Sequence, residues 1–265
     1  MNSYNSKLFV FHGCDRKVGT TMISHCAARL IAEHFQPARV LFAALNGNDD
    51  IHYYRGNSAS VEAIKIQVDN RLLTEEDLEA ACFRDGPLYL LDGVPGGLRH
   101  RNYAAEFSSM FIEKAFEVFD FVVIDSGNEL DSGLCVGALK TGGKNIMLLN
   151  QNESTLLRYE GSEEIYTAID ASFSCFVINR YMEDDPHDVS YLKSRLIRSS
   201  GTPLFTVREE GNYSRLAEMD HQVLLEYRCP GFSEDLRNLV AEMTRSAGFG
   251  ENALKSQKKK LFHFM

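Results

Sequence analysis

An α/β fold, a mostly parallel twisted sheet of about seven or eight strands with helices on both faces, is predicted by two observations. Seven short runs rich in Val, Ile, Leu and Phe recur along the 265 residues, and amphipathic segments lie between them. Strands buried on both faces read as such continuous apolar runs. Alternating strand and helix signals place helices on both sides of the sheet.

The first run, Leu8–Phe11, enters a short loop that ends Val18-Gly19-Thr20-Thr21. A helix follows at once, with Met22, Ile23, Cys26, Ala27, Leu30 and Ile31 on one face. Val40–Leu45 is the second strand and runs into Asn46-Gly47-Asn48-Asp49-Asp50. Leu88–Leu91 is the third and leads to the glycine-rich Asp92-Gly93-Val94-Pro95-Gly96-Gly97. A helix with Phe107, Phe111, Ile112 and Ala115 on one face precedes the fourth, Phe121–Ile124, which ends in Asp125-Ser126-Gly127. Ile146–Leu149, Phe173–Ile178 and Leu204–Val207 complete the set, with Asn179-Arg180 after the sixth. Ser233 is expected to cap a last helix carrying Leu236, Leu239, Val240 and Met243, with Gly248 as its stop. Residues 1–248 therefore read as one domain, and 249–265 as a tail.

Composition narrows the function classes. Hydrophobic residues make up 44% of the chain, enough for a sizeable core, and the net charge is −9. That balance argues against a nucleic-acid partner, because non-specific binding needs a basic surface. The last fifteen residues, with four lysines and one glutamate, carry +3 of that −9, leaving −12 on the first 250. Six scattered cysteines without paired metal spacing read as reduced thiols. No signal-peptide pattern and no apolar run near the ~20 residues of a spanning helix is visible, so a cytoplasmic protein is expected.

Ligands of such sheets bind beyond the carboxyl ends of the strands. The loop after the first strand has the layout of a phosphate-binding loop, in which backbone N–H groups and a helix N-terminus, worth roughly +0.5 charge, cradle phosphates. The lysine of G-K-[ST] is replaced by Thr20. Amides from Val18 to Met22 would serve the phosphates, with Arg16 or Lys17 as substitute cation. The alternative is a degenerate loop that only turns a strand into a helix. Thr21 is the candidate magnesium ligand, and Asp125 its partner one bond further out. Asp125 has an alternative role as a cap for the segment after it.

Four blocks, in order, resemble the ParA/MinD family of P-loop ATPases, most nearly its TadZ/CpaE pilus-assembly localisation branch. Asp15-Arg16-Lys17-Val18-Gly19-Thr20-Thr21-Met22 stands where that family has K-G-G-x-G-K-[ST]-[ST]. Arg39 to Asn46 is similar to the strand ending D-x-D, Phe119 to Ser126 to Y-D-x-V-[IV]-[IV]-D-[TS], and Phe176 to Tyr181 to V-x-N-[RK]. The resemblance covers about residues 5–245. It implies a three-layer P-loop NTPase fold, ATP and Mg2+ as ligands, and a nucleotide-dependent homodimer. It also implies protein partners in a pilus, secretion or positioning system. By the same resemblance Asn179 and Arg180 would meet the adenine, with Val207 and Arg208 closing the base pocket. An asparagine amide can both donate to and accept from a base edge; the alternative for Asn179 is a strand-end turn.

Departures from that pattern cluster around the phosphates. The family's signature lysine corresponds to Asp15, and its next two glycines to Arg16 and Lys17. The water-activating first aspartate of D-x-D corresponds to Ala44 and the second to Asn46. Weak or absent hydrolysis is therefore expected, since Ala44 cannot polarise water. Asp49 and Asp50 lie nearby but read as a solvated loop. The basic loop around Arg99-His100-Arg101 reads either as a partner-facing segment or as plain surface.

In the tail, Lys258, Lys259 and Lys260 precede Leu261, Phe262 and Phe264. Each lysine near an anionic leaflet is worth about 1 kcal/mol, so peripheral attachment to the inner membrane face is one reading. A solubilising end is the other. Two functions thus stand: an ATP-binding localisation or assembly factor, and a nucleotide-free scaffold working through protein contacts.

Overall fold

The computed structural model describes residues 6–47, 53–96, 99–197 and 201–245. In chain order the elements are β1 (Leu8–Gly13), α1 (Thr20–His34), β2 (Val40–Ala44), α2 (Lys65–Asp69), α3 (Glu75–Ala81), β3 (Phe83–Asp85), β4 (Leu88–Leu91), α4 (Ala105–Val118) and β5 (Phe121–Asp125). They continue as α5 (Gly133–Lys140), β6 (Lys144–Leu149), α6 (Glu153–Ala168), β7 (Phe173–Tyr181), α7 (Val189–Leu196), β8 (Leu204–Arg208), α8 (Tyr213–Asp220) and α9 (Pro230–Arg245). All seven expected strands form. The eighth, β3, was not expected: it is three residues long, half exposed, and pairs antiparallel with β4 at the sheet edge.

The sheet order is β3-β4-β2-β5-β1-β6-β7-β8, and every pairing except β3–β4 is parallel. Alternation along each strand divides the core into layers. Phe9, Phe11, Phe42 and Val123 pack with Ile23, Ile31, Leu236 and Leu239, under α1 and α9. Leu8, Val10, Leu41 and Ile124 pack on the opposite face with Phe107, Phe111, Leu134 and Ala138, under α4 and α5. Met147, Leu149, Phe176 and Ile178 continue that opposite layer beneath α6 and α7. Each such side chain contributes about 1.5–3 kcal/mol when fully buried.

One helix boundary differs from expectation. Helix α9 begins at Pro230, so Ser233 is not its cap but lies in the first turn, its N–H donating to the Cys229 carbonyl at 3.0 Å. Proline suits a first helical position because that N–H would lack a partner anyway. The expected stop at Gly248 lies outside the described residues.

The strand order puts β1 between β5 and β6, so the loop leaving β1 emerges where connections diverge to the two sides of the sheet. That crevice, at the carboxyl ends of β1, β2 and β5, is where open α/β sheets bind ligands.

Candidate functional site

A cleft of about 990 Å³ opens at these strand ends. It is lined by the loop after β1, the tips of β2, β5 and β7, and parts of α8. This is the size of a pocket for a nucleotide-sized ligand.

The loop is strung between two strand tips. Gly13 N–H donates to the Gly127 carbonyl (2.8 Å) and Cys14 N–H to the Leu148 carbonyl (2.9 Å). Gly19 caps α1 in the left-handed region, φ 91°, with no side-chain cap, and its carbonyl accepts from Ile23 N–H. The α1 N-terminus, free of acidic residues in its first turn, opens on the cleft. A Cβ on Gly19 would fall on the Asn179 amide, so the close approach itself requires glycine. Asn179, at the end of β7, donates from Nδ2 to the Val18 carbonyl at 2.8 Å. It therefore braces the loop. Thr20, almost buried, is folded back so that its hydroxyl occupies the space a Cβ on Gly13 would need.

Thr21 and Asp125, paired from the sequence, meet: Thr21 Oγ1 donates to Asp125 Oδ2 at 2.6 Å. Asp125 Oδ1 accepts from Gly127 N–H at 2.9 Å, and the Asn46 side chain also bonds the carboxylate. Asp125 is fully buried, and burial pushes its carboxyl above the usual range against the pull of these three bonds. All three partners are uncharged. The donor set fits magnesium, which takes one or two protein oxygens and leaves its other positions to phosphate and water. Among the described residues no group of three or more His, Cys, Asp or Glu could hold a metal alone. Ala44 lies in register with Asp125 across the β2–β5 pairing, placing a methyl group at the cleft wall.

Most charges around the loop are committed to one another. Asp15 lies 3.2 Å from Arg158 on α6. Arg16 Nη2 is 2.9 Å from Glu129 Oε1, while His100 Nε2 is 2.5 Å from Glu129 Oε2. The basic loop after β4 is thereby tied to the loop after β5. Arg180, with φ 55°, is 3.8 Å from Glu209. Arg208 reaches back to α9, with Nε 2.8 Å and Nη2 2.7 Å from the two Asp235 oxygens. Val207 is buried in the core beneath α1 and α9, and Met22 is almost buried, its sulfur facing Leu224 N–H. Lys17 has φ 61° and no carboxylate partner among the described residues.

Sequence reading missed the aromatic end of the cleft. His25 is buried, stacked on Phe42 at 5.0 Å between ring centroids, with Tyr54 edge-on. Its Nε2 has no hydrogen-bond partner among the described residues, and burial pushes its pKa down to about 3. His25 lies one helical turn beyond Thr21, a spacing that could have flagged it. Beneath the sheet, His12 is bonded to Ser126 and Tyr166 and is likewise pushed down to about 3 by burial. The six cysteines are unpaired. Asp49, Asp50 and the tail residues Lys258, Lys259, Lys260, Leu261, Phe262 and Phe264 lie outside the described residues. No helix among the described residues is long and apolar enough to cross a membrane.

No protein-family model matches the chain, and no curated protein resembles it significantly in sequence. Solved structures do resemble it in fold. A ParA family ATPase from Chlorobium tepidum TLS superposes with TM-score 0.75 at 16% identity, over 90% of this chain and 98% of that one. The septum site-determining protein MinD from Pyrococcus horikoshii OT3, complexed with Mg-ADP, gives 0.71 at 15%, over 91% and 97%. The MinC:MinD cell division complex of Aquifex aeolicus gives 0.70 at 15%, over 92% and 97%. At these identities the likeness establishes the fold, the three-layer architecture of ParA/MinD P-loop ATPases.

Proposed function

We propose that this chain is a ParA/MinD-like localisation or assembly factor that binds Mg·ATP and hydrolyses it slowly or not at all. The observation that carries the reading is the 2.6 Å contact between Thr21 and Asp125 at the start of α1, inside a cleft that a phosphate-binding type of loop borders. In that geometry Thr21 Oγ1 and the Asp125 carboxylate are the groups that would hold a magnesium ion, Thr21 directly and Asp125 as the acceptor behind it. Loop amides and the α1 N-terminus take the phosphates. A bound magnesium ion would supply charge neutralisation between phosphate oxygens. The expectation of weak hydrolysis rests on Ala44 and Asn46, neither of which can take a proton from water. The fold's likeness to a MinD bound to Mg-ADP and to a MinD bound to MinC supports nucleotide and protein partners. A nucleotide-stabilised homodimer and a role in pilus, secretion or positioning machinery are carried by the sequence resemblance alone, and tail-mediated membrane attachment by the tail's own basic and apolar residues.

A nucleotide-free scaffold is favoured by one observation: Arg16, Arg180 and Arg208 already face carboxylates. Thermal unfolding with and without Mg·ATP separates the two. A ligand at about 100 Kd adds about 2.7 kcal/mol, so the proposed factor melts higher with millimolar Mg·ATP while releasing little phosphate. No shift would leave the scaffold; rapid phosphate release would refute the slow-hydrolysis reading.

A further inference from the structure

We infer that Lys17 is the loop's cation for the nucleotide phosphates, replacing the lysine that Thr20 displaces. This assignment rests on the nucleotide-binding reading above and names the side chain that makes it work.

Among the described residues, five lysine or arginine side chains line the cleft: Arg16, Lys17, Arg180, Arg208 and Arg215. Three are held by carboxylates, Arg16 by Glu129, Arg180 by Glu209, and Arg208 by Asp235. Arg16 shares its partner Glu129 with His100. Moving it toward a phosphate would leave Glu129 with one contact fewer and loosen the tie between two loops. Arg208 is bound through two nitrogens to α9, so recruiting it would unclamp a helix from the sheet. Arg215 has no ion pair among the described residues but stands on α8, outside the loop. Among the described residues, Lys17 alone is both in the loop and without a carboxylate partner.

Asp15 would repel a polyphosphate, but Arg158 faces it at 3.2 Å. Thr20 offers no charge, and its hydroxyl is spent over Gly13. The backbone at Lys17, φ 61°, is one that glycine adopts freely and that an L-residue adopts at a cost. Glycine would therefore serve the fold better at this position, and the lysine side chain is explained by what it can reach. Fold and ligand make opposite demands on one residue, and that makes the assignment testable.

The test is an equilibrium titration of the full chain with a non-hydrolysable ATP analogue and magnesium, alongside melting without nucleotide. Lys17→Gly and Lys17→Met are each expected to weaken binding on the order of 10- to 100-fold, the loss of one charge-assisted contact. Lys17→Gly is also expected to melt above wild type without nucleotide, which keeps poor folding from mimicking lost binding. Arg215→Ala is expected to bind within a few-fold of wild type. Wild-type binding by both Lys17 variants, or a larger loss in Arg16→Ala than in Lys17→Met, would overturn the assignment. If wild type itself does not bind, the nucleotide reading fails, and the assignment falls with it.

Discussion

Where the cleft meets the sheet, Asp125 and His25 are buried with no opposite charge against them among the described residues, whereas at the rim Arg16, Arg180 and Arg208 each face a carboxylate. Asp125 is held by a threonine hydroxyl, a backbone N–H and an asparagine amide. A buried carboxylate with neutral partners alone is a poor way to stabilise a fold. Rim pairs are solvent-screened and each worth little. The contrast assigns the two regions different work. On the proposed reading, the inner wall gives up stability to keep polar groups ready for a ligand, and the rim pairs join neighbouring loops and helices.

The largest effect that could break this contrast concerns acid. Burial holds His12 and His25 neutral, each at about 3, against about 6.5 in an unfolded chain. The folded values are depressed, so their stabilisation is complete above about pH 6.5 and is lost as pH falls toward about 3. Each imidazole contributes about 1.4 kcal/mol per pH unit across that window. Two of them remove on the order of 4 kcal/mol between pH 6.5 and 5. Urea unfolding across that range measures it, and His25→Asn should roughly halve the slope. An unchanged slope would mean that His25 is not buried as described.

Strand runs were legible because burial on both faces forces continuous apolar sequence, and the order of the four motif blocks fixed the fold. Strand β3 was not legible, since three half-exposed residues paired at an edge carry no period. The start of α9 was misplaced because Ser233 is a good cap by composition, while Pro230 three residues earlier is a good first residue. At the site, Thr21 and Asp125 could be paired in advance because each sits at a fixed offset from a strand end. The commitments of Arg16 to Glu129 and of Arg208 to Asp235 could not, because they join positions 113 and 27 residues apart through the fold. His25 was hidden inside an amphipathic helix whose apolar spacing claimed the attention.

A smaller effect sharpens the rim side of the comparison. Arg208→Ala removes the two-nitrogen grip of β8 on α9. The expected result is a thermal midpoint lower by a few degrees at low salt. The difference should shrink near 1 M salt, where charges are screened beyond about 3 Å. Mg·ATP affinity should hold once melting is accounted for. A loss of affinity without a loss of stability would move Arg208 from the frame to the ligand.

The most direct measurement is the thermal midpoint of Asp125→Asn at neutral pH, with and without Mg·ATP. Burial raises the carboxyl's pKa, so Asp125 favours folding while protonated and loses that contribution as pH rises through its folded value. Burial works against the charged carboxylate, so the uncharged asparagine should raise the nucleotide-free midpoint. The same substitution should abolish the upward shift that the proposed reading expects Mg·ATP to give wild type. A variant that melts lower without nucleotide and still responds fully to Mg·ATP would contradict the account, because Asp125 would then be a strut of the fold and not part of a metal–nucleotide site.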